Sequence, residues 1–122
     1  MPDPARVLVV DDDDLQRDVL ADVLARAGYA VEVAADGIAA LAAVRASAPD
    51  VLVLDLLLPG LDGASVLAEL RRDPALARVP VVVTIGIQTS HVRRLLGADA
   101  TLFKPFDVGE LLETVAGLAR AG

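Results

Sequence analysis

The chain has 122 residues, with no cysteine, no tryptophan, one tyrosine and two phenylalanines. Without cysteine, neither a disulfide framework nor a thiolate metal site is possible. Aromatic residues make up 2% of the chain and hydrophobic residues 55%, so the core must be built mainly from alanine, valine and leucine. Few aromatic rings are available to stack on a flavin, which argues against a flavin-binding protein.

Long apolar runs and a basic amino terminus are also missing. No stretch approaches the ~18 apolar residues of a membrane span, because the run that begins at Val51 is interrupted by Asp55. The first residues, MPDPARV, lack the basic region and apolar stretch of a signal peptide. We therefore expect a cytoplasmic protein without a membrane partner.

Basic residues are in the minority, with 11 lysines and arginines against 18 acidic residues and a net charge of −7. Nucleic acid binding depends on neutralising phosphates with lysine and arginine, so we expect no direct contact with nucleic acid. The acidic surplus is equally explained by solubility alone. The length suits one domain with a buried core, spanning residues 1–122.

Short apolar segments alternate with helical patterns along the chain. Strands are predicted at five places: Val7–Val10, Val31–Val33, Val51–Leu54, Val81–Val83 and, more weakly, Thr101–Phe103. Helices are predicted at five places: Leu15–Ala27, Asp36–Ser47, Ala64–Arg72, Thr89–Leu96 and Asp107–Leu118. Such alternation predicts a doubly wound α/β domain, in which a parallel sheet is covered by helices on both faces.

Polar residues follow four of the predicted strands: Asp11 and Asp12, Asp55, Thr84, and Lys104. In open α/β sheets, ligands bind outside the carboxyl ends of the strands, so we expect these side chains to converge. Two carboxylates about 5 Å apart repel by roughly 3 kcal/mol at an effective dielectric of about 20, and something must offset that repulsion.

Clustered carboxylates suit a hard cation such as Mg²⁺ (or Mn²⁺), which prefers oxygen ligands. An aspartate can also attack phosphorus and form an aspartyl-phosphate. A lysine and a hydroxyl could then hold the other phosphoryl oxygens. The pattern therefore indicates a site that receives a phosphoryl group.

Several of these residues also have simpler explanations. Asp13 and Asp14 fit a helix cap and a charge in the first helical turn. Thr84 could be an ordinary strand terminus, and Lys104 an edge-strand lysine. His91 is expected to face solvent, and a single histidine without cysteine makes no zinc site.

Five motifs, in this order, resemble the receiver domain of bacterial two-component response regulators over nearly the whole chain. They are VLVVDDDD at residues 7–14, VLDLLLPGLDG at 53–63, VVVT at 81–84, GADA at 97–100 and FKPF at 103–106. The resemblance implies a flavodoxin-like sheet of five parallel strands in the order 2-1-3-4-5. It further implies a signalling domain rather than an enzyme.

The resemblance assigns a role to each polar residue at the sheet edge. Asp55 would accept a phosphoryl group from a phosphohistidine on a partner histidine kinase or phosphotransfer protein. The metal shell would consist of Asp11, Asp12, Asp55 and the main-chain carbonyl of Leu57. Thr84 and Lys104 would bind the phosphoryl group, and Lys104–Pro105 would be a cis peptide. The kinase is expected to dock on Leu15 and the outward side of the first helix.

Three features depart from the family pattern. Ile85 replaces a very small residue, Thr101 replaces an aromatic, and the segment between Thr84 and Gly97 is short. Either phosphorylation proceeds and signalling avoids the aromatic, or the pocket is obstructed and the domain is a phosphorylation-independent interaction module. We favour the first, because unused buried carboxylates are costly.

An aspartate-nucleophile phosphohydrolase is disfavoured, because Asp55 lies on the third strand with no second aspartate two residues later. In the receiver reading, phosphorylation would change the face formed by the fourth predicted helix, the fifth strand and the last helix. That change would control a partner or an output domain that is absent from these residues.

Overall fold

The computed structural model describes residues 3–86 and 97–121. Within these residues five strands are present: β1 (Arg6–Val10), β2 (Ala30–Ala34), β3 (Val51–Asp55), β4 (Val81–Ile85) and β5 (Ala100–Phe103). Four helices accompany them: α1 (Asp14–Arg26), α2 (Gly37–Ala46), α3 (Gly63–Arg72) and α4 (Val108–Ala121). The helix predicted at Thr89–Leu96 lies outside the described residues, as does His91. No helix in the described ranges is long and apolar enough to cross a bilayer.

The five strands form one parallel sheet in the order β2-β1-β3-β4-β5, which confirms the predicted topology. β2 and β5 are the two edge strands of this sheet. The register pairs Val10 with Leu54 across β1 and β3, and Asp55 with Thr84 across β3 and β4. Parallel register therefore brings the ends of β1, β3 and β4 to one edge of the sheet.

Aliphatic side chains form a core on each face of the sheet. One cluster joins odd-numbered residues of β1 and β3, such as Val9 and Val53, to Leu24 of α1 and Leu111 of α4. The opposite cluster packs Leu54 against α2 and α3. Fully burying one valine or leucine side chain stabilises the fold by about 1.5–3 kcal/mol, so an aliphatic core of this kind needs no aromatic residues.

Aspartates begin all four described helices. Asp13, Asp36, Asp62 and Asp107 each accept a hydrogen bond from the backbone amide three residues later, at 2.7–3.0 Å. Such caps satisfy amides that have no partner within the helix. Asp13 is thus the cap of α1 and Asp14 lies in its first turn, as predicted. Two of the four consecutive aspartates are therefore explained by the helix start.

Candidate functional site at the carboxyl edge of the sheet

The remaining two aspartates of the run meet Asp55 at the carboxyl edge of the sheet. One carboxylate oxygen from each of Asp11, Asp12 and Asp55 lies within 4.8 Å of the others. Asp11 is 1% exposed and Asp55 is 6% exposed, whereas Asp12 is exposed to solvent. The predicted convergence of carboxylates is therefore present, and the cluster opens to solvent on the Asp12 side.

Three hydrogen bonds hold Asp11 in place, through its amide, its carboxylate and its carbonyl. Its amide donates to the carbonyl of Ala34 at 3.2 Å, and its Oδ1 accepts from the amide of Asp13 at 2.9 Å. Its own carbonyl accepts from the guanidinium of Arg17 at 3.0 Å. The end of β2 therefore contributes a backbone carbonyl, that of Ala34, to the support of Asp11.

Asp55 is backed by a turn that only glycine fits. A Cβ on Gly63 would collide with the main-chain oxygen of Asp55 and with Leu56. The amide of Gly63 donates to the Leu56 carbonyl at 2.9 Å, which closes the loop between β3 and α3. The amide of Leu57 lies 3.4 Å from Oδ1 of Asp55 and directs a weak donor at it. The loop thereby holds the carboxylate at the end of its strand.

Lys104 brings a positive charge to the same edge. Its Nζ lies 3.4 Å from Oδ1 of Asp55 and 3.8 Å from Oδ2 of Asp11. Its amide donates to the carbonyl of Ile85 at 2.7 Å, which ties the end of β5 to the end of β4. Lys104–Pro105 is a cis peptide, as the resemblance implied.

One lysine does not compensate for the burial of two carboxylates. Burial raises the pKa of Asp11, although the Asp13 amide and Lys104 act to lower it. Burial likewise raises the pKa of Asp55, and the charge of Asp11 adds to that rise while Lys104 opposes it. Ionisation of these two carboxyls is therefore less favourable than in a free aspartate, and a second cation would favour it.

Asp11 shows where such a cation fits. Among the residues that the structure describes, its Oδ2 is a buried side-chain oxygen without a hydrogen-bond partner. Leaving a buried polar group unsatisfied costs about 1–3 kcal/mol, and more for a charged group. The donors around it are carboxylate oxygens, which Mg²⁺ prefers. The residues present therefore fit a magnesium ion.

Of the other predicted site residues, Thr84 lies on the strand beside Asp55, and Leu57 follows Asp55 by two residues. Thr84 is 1% exposed and paired in register with Asp55. The side chain of Leu57 is 59% exposed. Ile85 is 1% exposed and belongs to the apolar cluster on the α2 and α3 face, so it packs in the core. Thr101 is half-buried on β5.

Sequence reasoning missed Arg17. The helical pattern of residues 15–27 consists of leucines and valines, and this pattern assigns no role to Arg17. Leu20 and Leu24 are the buried residues of α1, and Arg17 precedes them by three and seven positions on the same helical stripe. The sequence did contain a sign of its importance, because a charged residue on the buried stripe of a helix needs specific partners.

Comparison with known proteins gives a consistent family. A family model described as the response regulator receiver domain matches residues 7–116. The DNA-binding dual master transcriptional regulator RpaA of Synechocystis is 42% identical over 118 residues, and the transcriptional regulatory protein TcrA of Mycobacterium tuberculosis is 40% identical. These matches cover 94% and 96% of this chain but 49% and 47% of the relatives, so the chain spans about half their length.

Solved structures agree with this family. A putative response regulator from Chloroflexus aurantiacus superposes with a TM-score of 0.89 at 35% identity, covering 96% of this chain and 98% of its own. The receiver domain of a sensor histidine kinase from Pseudomonas aeruginosa, with a magnesium ion coordinated in its active site cleft, also gives 0.89, at 28% identity. That match covers 96% of this chain and 98% of the Pseudomonas domain.

Proposed function

Because this chain belongs to the response regulator receiver domain family, we propose that it is a phosphoacceptor domain in which Asp55 takes a phosphoryl group from a histidine kinase. The observation that carries the proposal is the arrangement around Asp55. A buried carboxylate with a raised pKa lies 3.4 Å from a lysine amine and beside a second buried carboxylate with an unsatisfied oxygen. Such a site is suited to receiving both a cation and an anionic group.

In the transfer step, a carboxylate oxygen of Asp55 attacks phosphorus, and the phosphorus–nitrogen bond of the donor phosphohistidine breaks. The bonding electron pair returns to the imidazole nitrogen, and the product is an acyl phosphate on Asp55. Lys104, already within 3.4 Å of that carboxylate, is placed to pair with the phosphoryl oxygens. Thr84, in register with Asp55, offers a hydroxyl for the same group.

Asp11, Asp12 and Asp55, with the main-chain carbonyl of Leu57, are the residues that would hold Mg²⁺. When bound, the ion supplies positive charge that offsets the repulsion between the acidic cluster and the incoming phosphoryl group. The solved Pseudomonas receiver domain, which carries magnesium in its cleft, supports this assignment.

The first test is intact-protein mass spectrometry after incubation with a small-molecule phosphodonor, with Mg²⁺ or with chelator. We expect one added phosphoryl group with Mg²⁺ and none with chelator. Asp55→Asn should abolish the label. Asp62→Asn is the matched control: it makes the same chemical change at the cap of α3, where asparagine is also a good cap, and should leave labelling intact.

Absence of label in the wild-type protein with Mg²⁺ would count against the proposal. Recovery in Ile85→Ala would then show that the core packing of Ile85 restricts the neighbouring Thr84. Continued absence would favour the other candidate, a phosphorylation-independent interaction module.

The kinase is proposed to dock in a groove between α1 and α4. The groove has a volume of about 610 Å³ and is lined by apolar side chains that include Leu15, Val19, Phe106 and Val108. Leu15 is 75% exposed, Val19 is 49% exposed and Val108 is 48% exposed. Lys104 also lines the groove, so a partner bound there lies next to the phosphoacceptor.

A docking surface is needed for phosphoryl transfer from a kinase but not for labelling by a small-molecule phosphodonor, so the two reactions should respond differently to substitutions there. Leu15→Arg should slow transfer from a phosphorylated histidine kinase about tenfold or more, because a charge enters an apolar contact. It should leave small-molecule labelling unchanged. Ile38→Arg is the control, because Ile38 is 69% exposed on α2 at the opposite sheet face. Equal slowing in both variants would contradict docking on α1.

Phosphorylation is proposed to shift the face around β5 and α4 and so to control a partner protein or an output segment. The named relatives are transcriptional regulators about twice as long as this chain. We further propose that residues 1–122 act as a single receiver domain.

A further inference from the structure

Arg17 occupies an unusual position for a cation. It lies near the amino end of α1, where the helix dipole disfavours positive charge. Its side chain is 15% exposed, and it shares the inward stripe of the helix with the buried leucines Leu20 and Leu24. A guanidinium at this position therefore requires specific partners, and the structure supplies them.

Those partners are the two ends of the turn between β1 and α1. One terminal nitrogen donates to the carbonyl of Asp11 at 3.0 Å, and the other donates to Oδ1 of Asp14 at 2.6 Å. Asp14 is 86% exposed, so that ion pair alone is weakly stabilising. The contact with the Asp11 carbonyl is partly buried and reaches the backbone of a proposed metal ligand.

Other hydrogen bonds also hold this turn: the amide of Asp11 donates to the carbonyl of Ala34, and Oδ1 of Asp13 accepts from the amide of Gln16. The amide of Asp13 donates to Oδ1 of Asp11, which leaves Oδ2 of Asp11 without a hydrogen-bond partner among the described residues. Asp12 is exposed between them. Arg17 thus binds the main-chain carbonyl of Asp11 from the helix, while the amide of Asp13 binds the Asp11 carboxylate from inside the turn.

We propose that Arg17 is a positioning residue, which holds the turn of residues 11–14 so that the carboxylates of Asp11 and Asp12 face Asp55 before a cation arrives. The inference rests on the proposed metal site. The planar fork of the guanidinium suits this task, because its two terminal nitrogens reach two acceptors in fixed relative positions. A lysine would keep the charge but lose the fork.

A purely electrostatic role for Arg17 predicts the opposite effect on metal binding. If Arg17 only neutralised the four aspartates, its removal would leave a more negative cluster and Mg²⁺ would bind more tightly. If Arg17 positions the turn, its removal weakens binding in spite of the added negative charge. The sign of the change in affinity therefore separates the two roles.

The test is isothermal titration of Mg²⁺ into the wild-type protein, Arg17→Gln, Arg17→Lys and Arg26→Gln. We expect Arg17→Gln to weaken Mg²⁺ affinity about tenfold, as is usual when the support of a metal ligand is removed. Arg17→Lys should recover only part of the loss. Arg26→Gln removes the same charge from the other end of α1, where Arg26 is 80% exposed and paired with Asp22, and should change affinity less than twofold.

A metal-free measurement accompanies the titration. With chelator present, hydrogen exchange of the Asp13 amide should be faster in Arg17→Gln than in wild type, because its acceptor Asp11 is less firmly held. If Arg17→Gln does not fold, Arg17→Lys carries the test, with a several-fold loss expected. Unchanged or tighter Mg²⁺ binding in a folded Arg17 variant would overturn the inference, whereas wild-type protein that binds no Mg²⁺ would overturn the proposed site on which it rests.

Discussion

The two ends of the sheet differ in the charged groups they bury and in how fully those groups are hydrogen-bonded. Arginines form the main contacts at the amino end, and aspartates cluster at the carboxyl end. At the amino end, the guanidinium of Arg6 donates to Ser47, Ala48 and Glu32 at 2.8–3.3 Å. At the carboxyl end, Asp11 and Asp55 are buried with raised pKa values, and Oδ2 of Asp11 has no hydrogen-bond partner among the residues described. The amino end contributes stability, whereas the carboxyl end retains an unfavourable charge cluster.

Arg71 shows how thoroughly the amino end is satisfied. From the last turn of α3 it donates to the carbonyls of Ala77 and Val79 at 2.9 and 2.7 Å, and to the carbonyl of Gly97 at 2.8 Å. It also pairs with Asp99 at 2.9 Å. One side chain thereby joins α3, the loop before β4 and the start of β5.

The comparison shows that the unfavourable interactions of this fold are concentrated at the carboxyl end of the sheet. In the proposed function the site accepts a cation and a phosphoryl group, so it cannot satisfy its own carboxylates in advance, and other parts of the fold must supply the stability. Substitutions at the two ends should therefore change stability in opposite directions.

The largest effect is expected at the amino end. Arg71→Ala should lower the free energy of unfolding by about 2–4 kcal/mol, because it removes several charge-assisted hydrogen bonds and leaves partly buried carbonyls without a donor. Urea unfolding measures this directly. Mg²⁺-dependent labelling per folded molecule should not change.

Arg72→Ala is the matched control. Arg72 is the next residue along the helix, 71% exposed and paired with Glu69. Its removal should change stability by no more than about 0.5 kcal/mol, as is usual for exposed ion pairs. Equal losses in the two variants would show that the Arg71 contacts add nothing beyond surface charge.

Most of the fold can be predicted from the sequence, because strands and helix starts are each marked by a few neighbouring residues. Continuous β-branched segments such as Val81–Val83 mark strands buried on both faces, and aspartates such as Asp107 mark helix starts. The bounds of the elements differ from the predicted ones by up to three residues: β4 extends to Ile85 and α4 to Ala121, whereas α2 is shorter than predicted, at Gly37–Ala46. Apolar pattern determines where an element lies, whereas its last residues depend on pairing and packing with neighbours.

The carboxylates and the lysine of the site could be predicted because each lies at the end of a strand or just after it. In a parallel sheet these strand ends lie together. Arg17 and Arg71 were not predictable in the same way. Their partners are largely backbone carbonyls, such as those of Asp11 and Gly97, and a carbonyl leaves no mark in the sequence. The core position of Ile85 was equally hidden, because the sequence alone does not show which way a strand terminus turns.

A smaller effect of opposite sign is expected at the carboxyl end. With chelator present, Asp55→Asn should raise the free energy of unfolding by about 0.5–2 kcal/mol, because a near-isosteric neutral group replaces a buried carboxylate beside Asp11. Saturating Mg²⁺ should reduce or reverse this advantage, since the ion stabilises the wild-type protein that binds it. A destabilised Asp55→Asn protein in chelator would show that the ion pair with Lys104 outweighs the burial of Asp55.

The pH dependence of the same pair of proteins tests the cause of that difference. The pKa of Asp55 is raised in the folded protein, so the folded state takes up a proton at a higher pH than the unfolded state does. As pH falls through this raised pKa, the folded wild-type protein is stabilised relative to its unfolded state. Asp55→Asn lacks this contribution, whereas the contribution of Asp11, whose pKa is also raised, is present in both proteins. The advantage of Asp55→Asn in chelator should therefore be largest near neutral pH and shrink towards the ordinary range of aspartate. An advantage that stays constant or grows on acidification would mean that lost packing or hydrogen bonding, rather than buried charge, distinguishes the two proteins.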